Sequence, residues 1–401
     1  MKKDILGEMS GLKDKSGFLD FIKDIKDHRI DRKKLHSVGE IIFLAFCGYI
    51  ANCNSWEDLE SFGHTKLEFL RKFLPYTNGI PSDDTLRRFF RVLDPKVFED
   101  KFEQWVSYIF AAVDTAGKVI AIDGKASRGS HDGEEKAIHV VSAFVGEDKI
   151  TLAQRKVDCK TNEIKVIPEL LDALDLKAAI VTIDAMGTQH KIANKIIEKK
   201  ANYILSLKGN QQKLEKDVKE IFTHVDQIKA NDVSIHESSD AKNHGRMEQR
   251  ICTVITDPAW IKWLKDSRKE WYSINCVIRI SSTRTIKGVS TTEDRFYISS
   301  LTPLAENALN YIRTHWAIEN CLHWTLDVSF GDDKSRIRKG NAPQNMLVIK
   351  KAALNLLEII KARFPRINGV RMSIARLRKL TSWVDEWLLN VLCAKYEPVT
   401  K

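Results

Sequence analysis

The sequence predicts an α+β / α/β protein built round a mixed sheet flanked by helices, with a strand-rich insertion inside it and helical regions before and after. Three observations predict this. Through residues 1–115 apolar side chains recur at helical spacing; from 116 to 210 they gather into short continuous runs; from 303 the helical spacing returns.

The first region, 1–115, reads as a helical N-terminal domain with a possible DNA-binding role. Phe18, Leu19, Ile22 and Ile25 share a helical period, Val38 to Ala51 makes an apolar helix, and Trp56, Leu59 and Phe62 continue the period. In GIPSDDTLRRFFRVLD, Pro81 ends what precedes it. Ser82, Asp83 or Asp84 caps a helix that turns Leu86, Phe89, Phe90 and Leu93 inward. Arg87, Arg88 and Arg91 fall largely on the other side, either as the solvated face of a bundle or as contacts to phosphates.

Residues 116–210 read as the first part of a catalytic core. KVIAIDGK, AIHVVSAFVG and ITLAQRKVD are three strands with short gaps, as in an antiparallel meander. NEIKVIPELLDAL is helical, with Pro168 in its first turn or breaking it. AAIVTIDA is the fourth strand, Thr188 caps the helix HKIANKIIEKK, and ANYILSLKGN is the fifth strand. Three antiparallel strands followed by two helix-linked strands is the order of the ribonuclease-H-like fold, in which the first and fourth strands are neighbours. Asp123 and Asp184, at corresponding strand ends, then lie side by side, and Gly124 lets a ligand approach the backbone.

Residues 211–302 form the insertion, with a polar helix, QQKLEKDVKEIFTHV, and the strand-like runs GRMEQRICTVITD, WYSINCVIRISSTR and DRFYISSL. Residues 303–340 hold a helix from about Leu304 and the loop GDDKSRIRKGNAP. On that helix His315, Glu319 and His323 are four apart and share one face. The region 341–401 is helical again, over about 343–363 and 371–395.

Lys plus Arg number 64 against 54 acidic residues, a formal charge of +10. That excess fits a polyanionic partner such as nucleic acid, and equally a merely basic soluble protein. The seven cysteines are scattered and form no CxxC pair, which argues against a disulfide framework or a zinc knuckle and for a reducing cytoplasm. No signal peptide opens the chain, and its longest apolar run, Ile41 to Ala51, is too short to span a bilayer.

The chemistry follows from three acids. Asp123, Asp184 and Glu319, brought together in a partly dry site, would repel one another. Two Mg²⁺ or Mn²⁺ ions resolve that repulsion, since hard cations take oxygen ligands and keep positions open for water and phosphate. Such a pair activates an attacking oxygen and stabilises a leaving one in an in-line displacement. Asp123 is the expected bridging ligand, with Asp184 on one ion and Glu319 on the other. Lys125 and Arg128 after Asp123, Lys208 and Asn210 at the end of the fifth strand, and a hairpin with His244, Arg246 and Arg250 are candidate DNA contacts, or ordinary solvated charges.

AIDGK, TIDAMGTQ, YILSLKGNQ, NHGRMEQR and HWAIENCLHWTLDVSFGDD, in this order, resemble the DDE transposases of the H-repeat-associated insertion-sequence type. The resemblance covers most of the chain, including PSDDTLRRFFRVLD near the start. It implies metal-dependent DNA cleavage and strand transfer at element ends, with Asp123, Asp184 and Glu319 as the metal-binding triad. Many relatives carry a Tyr, an Arg and a Lys around the catalytic Glu; here those positions hold Ile312, His315 and Leu326. His315 then either replaces the Arg as a phosphate donor or packs as a hydrogen-bonded histidine.

The expected protein is a cytoplasmic, Mg²⁺-dependent DDE transposase acting on double-stranded DNA, at element ends and target, with room for a homodimer on DNA. The alternatives are a ribonuclease-H-like nuclease without strand transfer, a catalytically silent DNA-binding protein, and a metallohydrolase using the His315–Glu319–His323 face.

Overall fold

The computed structural model describes residues 17–396 apart from 28, 30–33, 111–114, 132, 134, 135, 158–162, 243–245 and 287. Its helical start is set by caps. After a short α1 (Phe18–Ile22), Ser37 opens α2 (Val38–Ile50) and Ser55 opens α3 (Trp56–Thr65), each by a reciprocal capping box, with Glu40 and Asp58 respectively. α4 (Leu67–Leu70) follows. Of the three candidate caps for α5 (Asp83–Val92), Ser82 is the one used, its Oγ accepting from the Thr85 amide at 3.3 Å. Asp94 caps α6 (Pro95–Ile109), where proline suits the first turn.

The sheet begins with β1 (Val119–Ser127), β2 (Ile138–Val145) and β3 (Ile150–Val157), paired antiparallel in sequence. α7 (Glu163–Asp172) leads to β4 (Ile180–Ile183), and α8 (His190–Glu198) to β5 (Asn202–Leu207). β4 pairs parallel with both β1 and β5. This is the ribonuclease-H-like order, β3-β2-β1-β4-β5. After α9 (Gln212–Thr223), the insertion contributes β6 (Val233–Lys242), β7 (Arg246–Ile255), α10 (Pro258–Ser267), β8 (Cys276–Ile286) and β9 (Val289–Ser299). Its strands do not merely flank the core: β9 pairs antiparallel with β5, and β8, β7 and β6 extend one nine-stranded sheet.

Three local readings need correction. Pro168 is the sixth residue of α7 and does not end it. The only intrahelical bond forfeited is the one its missing N–H would make to Ile164, in the first turn. Thr188 does not cap α8, whose N-cap is Gln189. Its hydroxyl is buried and bonds the carbonyls of Asp184 at 3.1 Å and Ser206 at 2.6 Å, tying the ends of β4 and β5 together. The helix expected from Leu304 is not uniform: α11 (Ala305–His315) passes into a π-helical stretch, Ile318–His323, and then α12 (Trp324–Ser329).

The buried spine is α13 (Ala342–Arg363), which packs against α2, α5 and α6 on one side and β3 on another. Its polar residues are buried because each finds a fixed partner. Asn355 exchanges two bonds of 2.9 Å with the Thr151 backbone, and Asn345 donates to the carbonyls of Phe90 and Leu93 at 2.9 Å. A small hairpin of β10 (Arg366–Ile367) and β11 (Val370–Arg371), then α14 (Ile374–Trp383) and α15 (Asp385–Leu392), complete the described chain. Among the described residues no helix is long and apolar enough to cross a membrane.

Candidate active site

Strand alternation decides which way the two aspartates face. On β1, Ile120 and Ile122 join the core under α7 and α8, whereas Ala121 joins the core with Ile318, Leu322 and α13. Asp123 has the parity of Ala121, so it faces the π-helical stretch. On β4, Val181 and Ile183 join the α7–α8 core, and Thr182 meets His315 at 2.9 Å. Asp184 has the parity of Thr182 and faces the same way. In the β1–β4 register Ile122 lies opposite Ile183, which brings the two aspartates abreast. Asp123 is not at a strand end, since β1 runs on to Ser127; it is the first residue past the pairing with β4.

Glu319 lies on the π-helical stretch that these residues face. A cleft of about 510 Å³ is lined by Asp184, Glu319, Lys208, Arg295, His315 and Trp316, among others. Arg295 is held beside Glu319 by Glu293, at 2.9 Å, and lies over the Trp316 ring at 5.4 Å. π-Helical turns inside helices are rare and cluster at functional sites.

The electrostatics are those of acids without a counterion. Burial, then the charges of Asp184, Glu319 and Glu163, push the Asp123 carboxyl up to about 7, against a hydrogen bond from the Gly124 backbone. Burial also raises Asp184 and Glu319. Among the described residues, the sole ion-pair-range partner of the three is His323, whose Nδ1 is 3.5 Å from Asp123 Oδ2. Burial and then Lys351 and Lys125 hold His323 down to about 3, so it is neutral, and among the described residues its buried Nε2 has no hydrogen-bond partner. Burial likewise holds His315 down to about 4. A neutral histidine bonded to Thr182 is a packing group, and it brings no cationic charge to a phosphate. Three oxygen donors with no cationic side chain within ion-pair range among the described residues fit a hard divalent cation.

Three other carboxylates, of Asp327, Asp332 and Asp333, approach one another within 4.8 Å. They already have cations: Lys125 lies 2.6 Å from Asp327 and 3.8 Å from Asp333, and Lys350 lies 2.7 Å from Asp332.

The other expected contacts separate. Lys208 lines the acidic cleft, and Asn210 is bonded to the Ala185 carbonyl beside Asp184. Lys125 faces the site's side of β1 but is engaged by Asp327; Arg128 is exposed just beyond the strand. Arg87 pairs with Asp83 at 2.8 Å and Glu57 at 3.3 Å, and Arg88 with Asp84 at 2.6 Å. Arg250 is taken by Asp240 and Glu248. His244 lies outside the described residues, and of Arg246 only the backbone is described, at the start of β7.

Sequence reasoning missed Glu163 and His139, which pair with each other behind Gly124. A Cβ on Gly124 would overlap both, so this glycine admits the protein's own side chains where a ligand was expected. Nothing in NEIKVIP marks that Glu; only the packing of α7 against β2 and β3 brings it there.

Comparison with known proteins settles the class. Residues 114–356 match the Transposase DDE domain family, and residues 19–106 match a family described as DDE_Tnp_1-associated. The chain belongs to the DDE transposases. It is 43% identical over 380 residues to YncI of Escherichia coli O157:H7, which covers 93% of this chain and 94% of that protein. It is 38% identical over 347 residues to the H repeat-associated YhhI of Escherichia coli K12, covering 84% and 89%. Both relatives are named as candidate transposases. The solved piggyBac transposase synaptic complex with hairpin DNA has a TM-score of 0.42 at 12% identity, over 99% of this chain and 83% of that one, too distant to carry an argument. As a DDE transposase the protein is a DNA phosphoryl-transfer enzyme that works with divalent metal ions. That class excludes the metallohydrolase, and the His315 contact with Thr182 agrees.

Proposed function

We propose that Asp123, Asp184 and Glu319 hold two Mg²⁺ or Mn²⁺ ions in this DDE transposase, and that the enzyme cuts and joins double-stranded DNA at the ends of its own element. The observation that carries this reading is the β1–β4 register, which aligns Ile122 with Ile183 and so sets the two aspartates abreast. When bound, such ions polarise phosphate oxygens and supply an attacking hydroxide near neutral pH. The chain's own residues fix the donors. Gly187 N–H, 3.1 Å from Asp184 Oδ1, orients that carboxylate, and Thr188 holds its backbone to β5. His323, a neutral group on the side that Asp123 faces, lies against its carboxylate at 3.5 Å. Lys208, exposed at the cleft, offers charge to a phosphate arriving from solvent.

The test is cleavage of duplexes carrying the DNA that flanks the gene, scored for nicks and for joined products. Wild type should give both with Mg²⁺ or Mn²⁺ and neither with chelator. Asp123→Asn should bind the duplex and give neither product. Nicks without joining would make the protein a nuclease only, and normal cleavage by Asp123→Asn would overturn the metal assignment.

A further inference from the structure

A second cleft, of about 570 Å³, lies between the N-terminal helices and the loop that follows α12. Its cations are Arg87 and Arg91 of α5 and Lys334, Arg336, Arg338 and Lys339 of the loop; Glu57 is the one acidic residue in the lining. Arg87 is already engaged by Glu57 and Asp83. Arg91, Lys334, Arg336 and Arg338 have no carboxylate partner among the described residues, so the cleft keeps a large uncompensated positive charge.

The loop is held in place at both ends. Ile337 is buried in the core, so Arg336 and Arg338 on either side of it are turned outward and exposed. Arg338 Nε donates to the Gly129 carbonyl at 3.1 Å, and a Cβ on Gly129 would collide with the backbone of Asp332 and Ser335. At the other end Gly340, at φ +58°, lies against Arg91, and Asn341 N–H donates to the Arg91 carbonyl at 3.1 Å. A strip of cations fixed before any ligand arrives loses little freedom on binding. The same loop reaches the proposed active site: Asp333 lies 3.8 Å from Lys125, two residues past Asp123 on the same face of β1.

We infer that this cleft binds the phosphate backbone of duplex DNA running on from the bond held at the acidic site. The inference rests on the DNA-cleaving reading above. Cations spread along an extended loop and one helix fit a repeating polyanion, whereas a single small anion would engage only one or two of them.

The experiment uses the full chain with Lys334→Ala and Arg336→Ala combined, both exposed positions. Binding to duplex DNA is followed by fluorescence anisotropy across salt, with chelator present, and cleavage is measured separately with Mg²⁺. Each lost phosphate contact should lower the slope of log affinity against log salt by about 0.9 and cost about eightfold near 0.1 M salt. The double variant should therefore lose roughly 10- to 100-fold, with a slope shallower by about 2. Lys229→Ala with Lys262→Ala removes the same charge from the exposed surface of the insertion and should bind like wild type. Arg336→Lys keeps the charge and should stay near wild type, which separates lost contact from lost fold. If wild type binds and cuts while the double variant keeps its affinity and slope, the cleft assignment is wrong and the function stands. If wild type neither binds nor cuts, the function falls and the cleft with it.

Discussion

Replacing Asp123 by Asn should make the metal-free protein more stable, and the gain should depend on pH in a defined direction. The Asp123 carboxyl is pushed from its ordinary 3.8 up to about 7, first by burial and then by Asp184, Glu319 and Glu163. An acid that holds its proton more tightly in the folded protein contributes stability that is fully present below 3.8 and lost as pH rises through about 7. The interval is about 3 in pH, and at about 1.4 kcal/mol for each tenfold in proton affinity the whole effect is on the order of 4 kcal/mol. For a chain of this length that is about 5 °C in melting temperature.

Asn keeps the shape of the side chain and cannot ionise. Melting curves with chelator at pH 8.5 should therefore place Asp123→Asn about 5 °C above wild type, with the difference closing toward pH 4. Adding Mg²⁺ should close most of that gap. A ligand bound only by the folded state at about 100 times its Kd contributes about 2.7 kcal/mol, and the variant has lost one donor. Equal melting of the two proteins at pH 8.5 without metal would refute the picture of a buried, uncompensated carboxylate. So would equal stabilisation of both by Mg²⁺.

Three other perturbations probe the surroundings of the site. Glu319→Ala should abolish DNA cleavage while Asp327→Asn, which disturbs only the ion pair with Lys125, should retain measurable activity; the reverse result would move the third ligand to Asp327. Asp332→Asn strands the buried Lys350 ammonium and should cost about 3–5 kcal/mol in urea unfolding. Burial works to raise the Asp332 carboxyl, but Lys350 and Ser127 outweigh it and leave it lowered, so its contribution is present above its ordinary pKa and lost as pH falls through the lowered one. Thr188→Val removes a hydroxyl shared by two carbonyls and should cost about 1–2 kcal/mol, with a larger loss of metal affinity than Lys262→Ala, read by titration calorimetry.

The parts of this protein legible in sequence were those set by local pattern. The apolar runs ending in Asp123 and Asp184 announced two buried strands, and their order announced that the strands would be neighbours, as the parallel register has it. What stayed hidden depends on partners distant along the chain. Thr188 looks like a cap because it precedes a helix, yet a carbonyl of β5 draws its hydroxyl away. Gly124 looks like a ligand-facing glycine, yet the space belongs to Glu163 and His139. The lysines of α13 look like surface charges, yet Lys350 and Lys351 are buried because Asp332, Ser142 and Gln154 meet them. The π-helical stretch has no sequence signature in IENCLH.

The site's charge is best understood from the cations that surround it and do not neutralise it. Lys125 stands two residues from Asp123 on the same face of β1, close enough to be its natural counterion, but its ammonium goes to Asp327 at 2.6 Å. Lys350 is fixed to Asp332 at 2.7 Å, and Ser127 bonds the other oxygen of that carboxylate at 2.6 Å. Burial holds Lys351 down to about 7, and its Nζ donates to the oxygens of Ser142 and Gln154 at 2.7 Å each. His139 is spoken for by Glu163, while His315 and His323 are neutral. Every base packed around Asp123 thus has another acceptor or no charge, Arg295 beside Glu319 is held by Glu293, and only Lys208 stands open at the mouth of the cleft. On this view Asp327, Asp332 and Asp333 have a definite role: they draw the lysines off. Removing Asp327 should free Lys125 to swing toward Asp123 and compete with the metal. Asp327→Ala should then weaken Mg²⁺ affinity, measured by calorimetry, and Lys125→Met in the same chain should restore it. If Asp327→Ala leaves the affinity unchanged, Lys125 is not being withheld from the site.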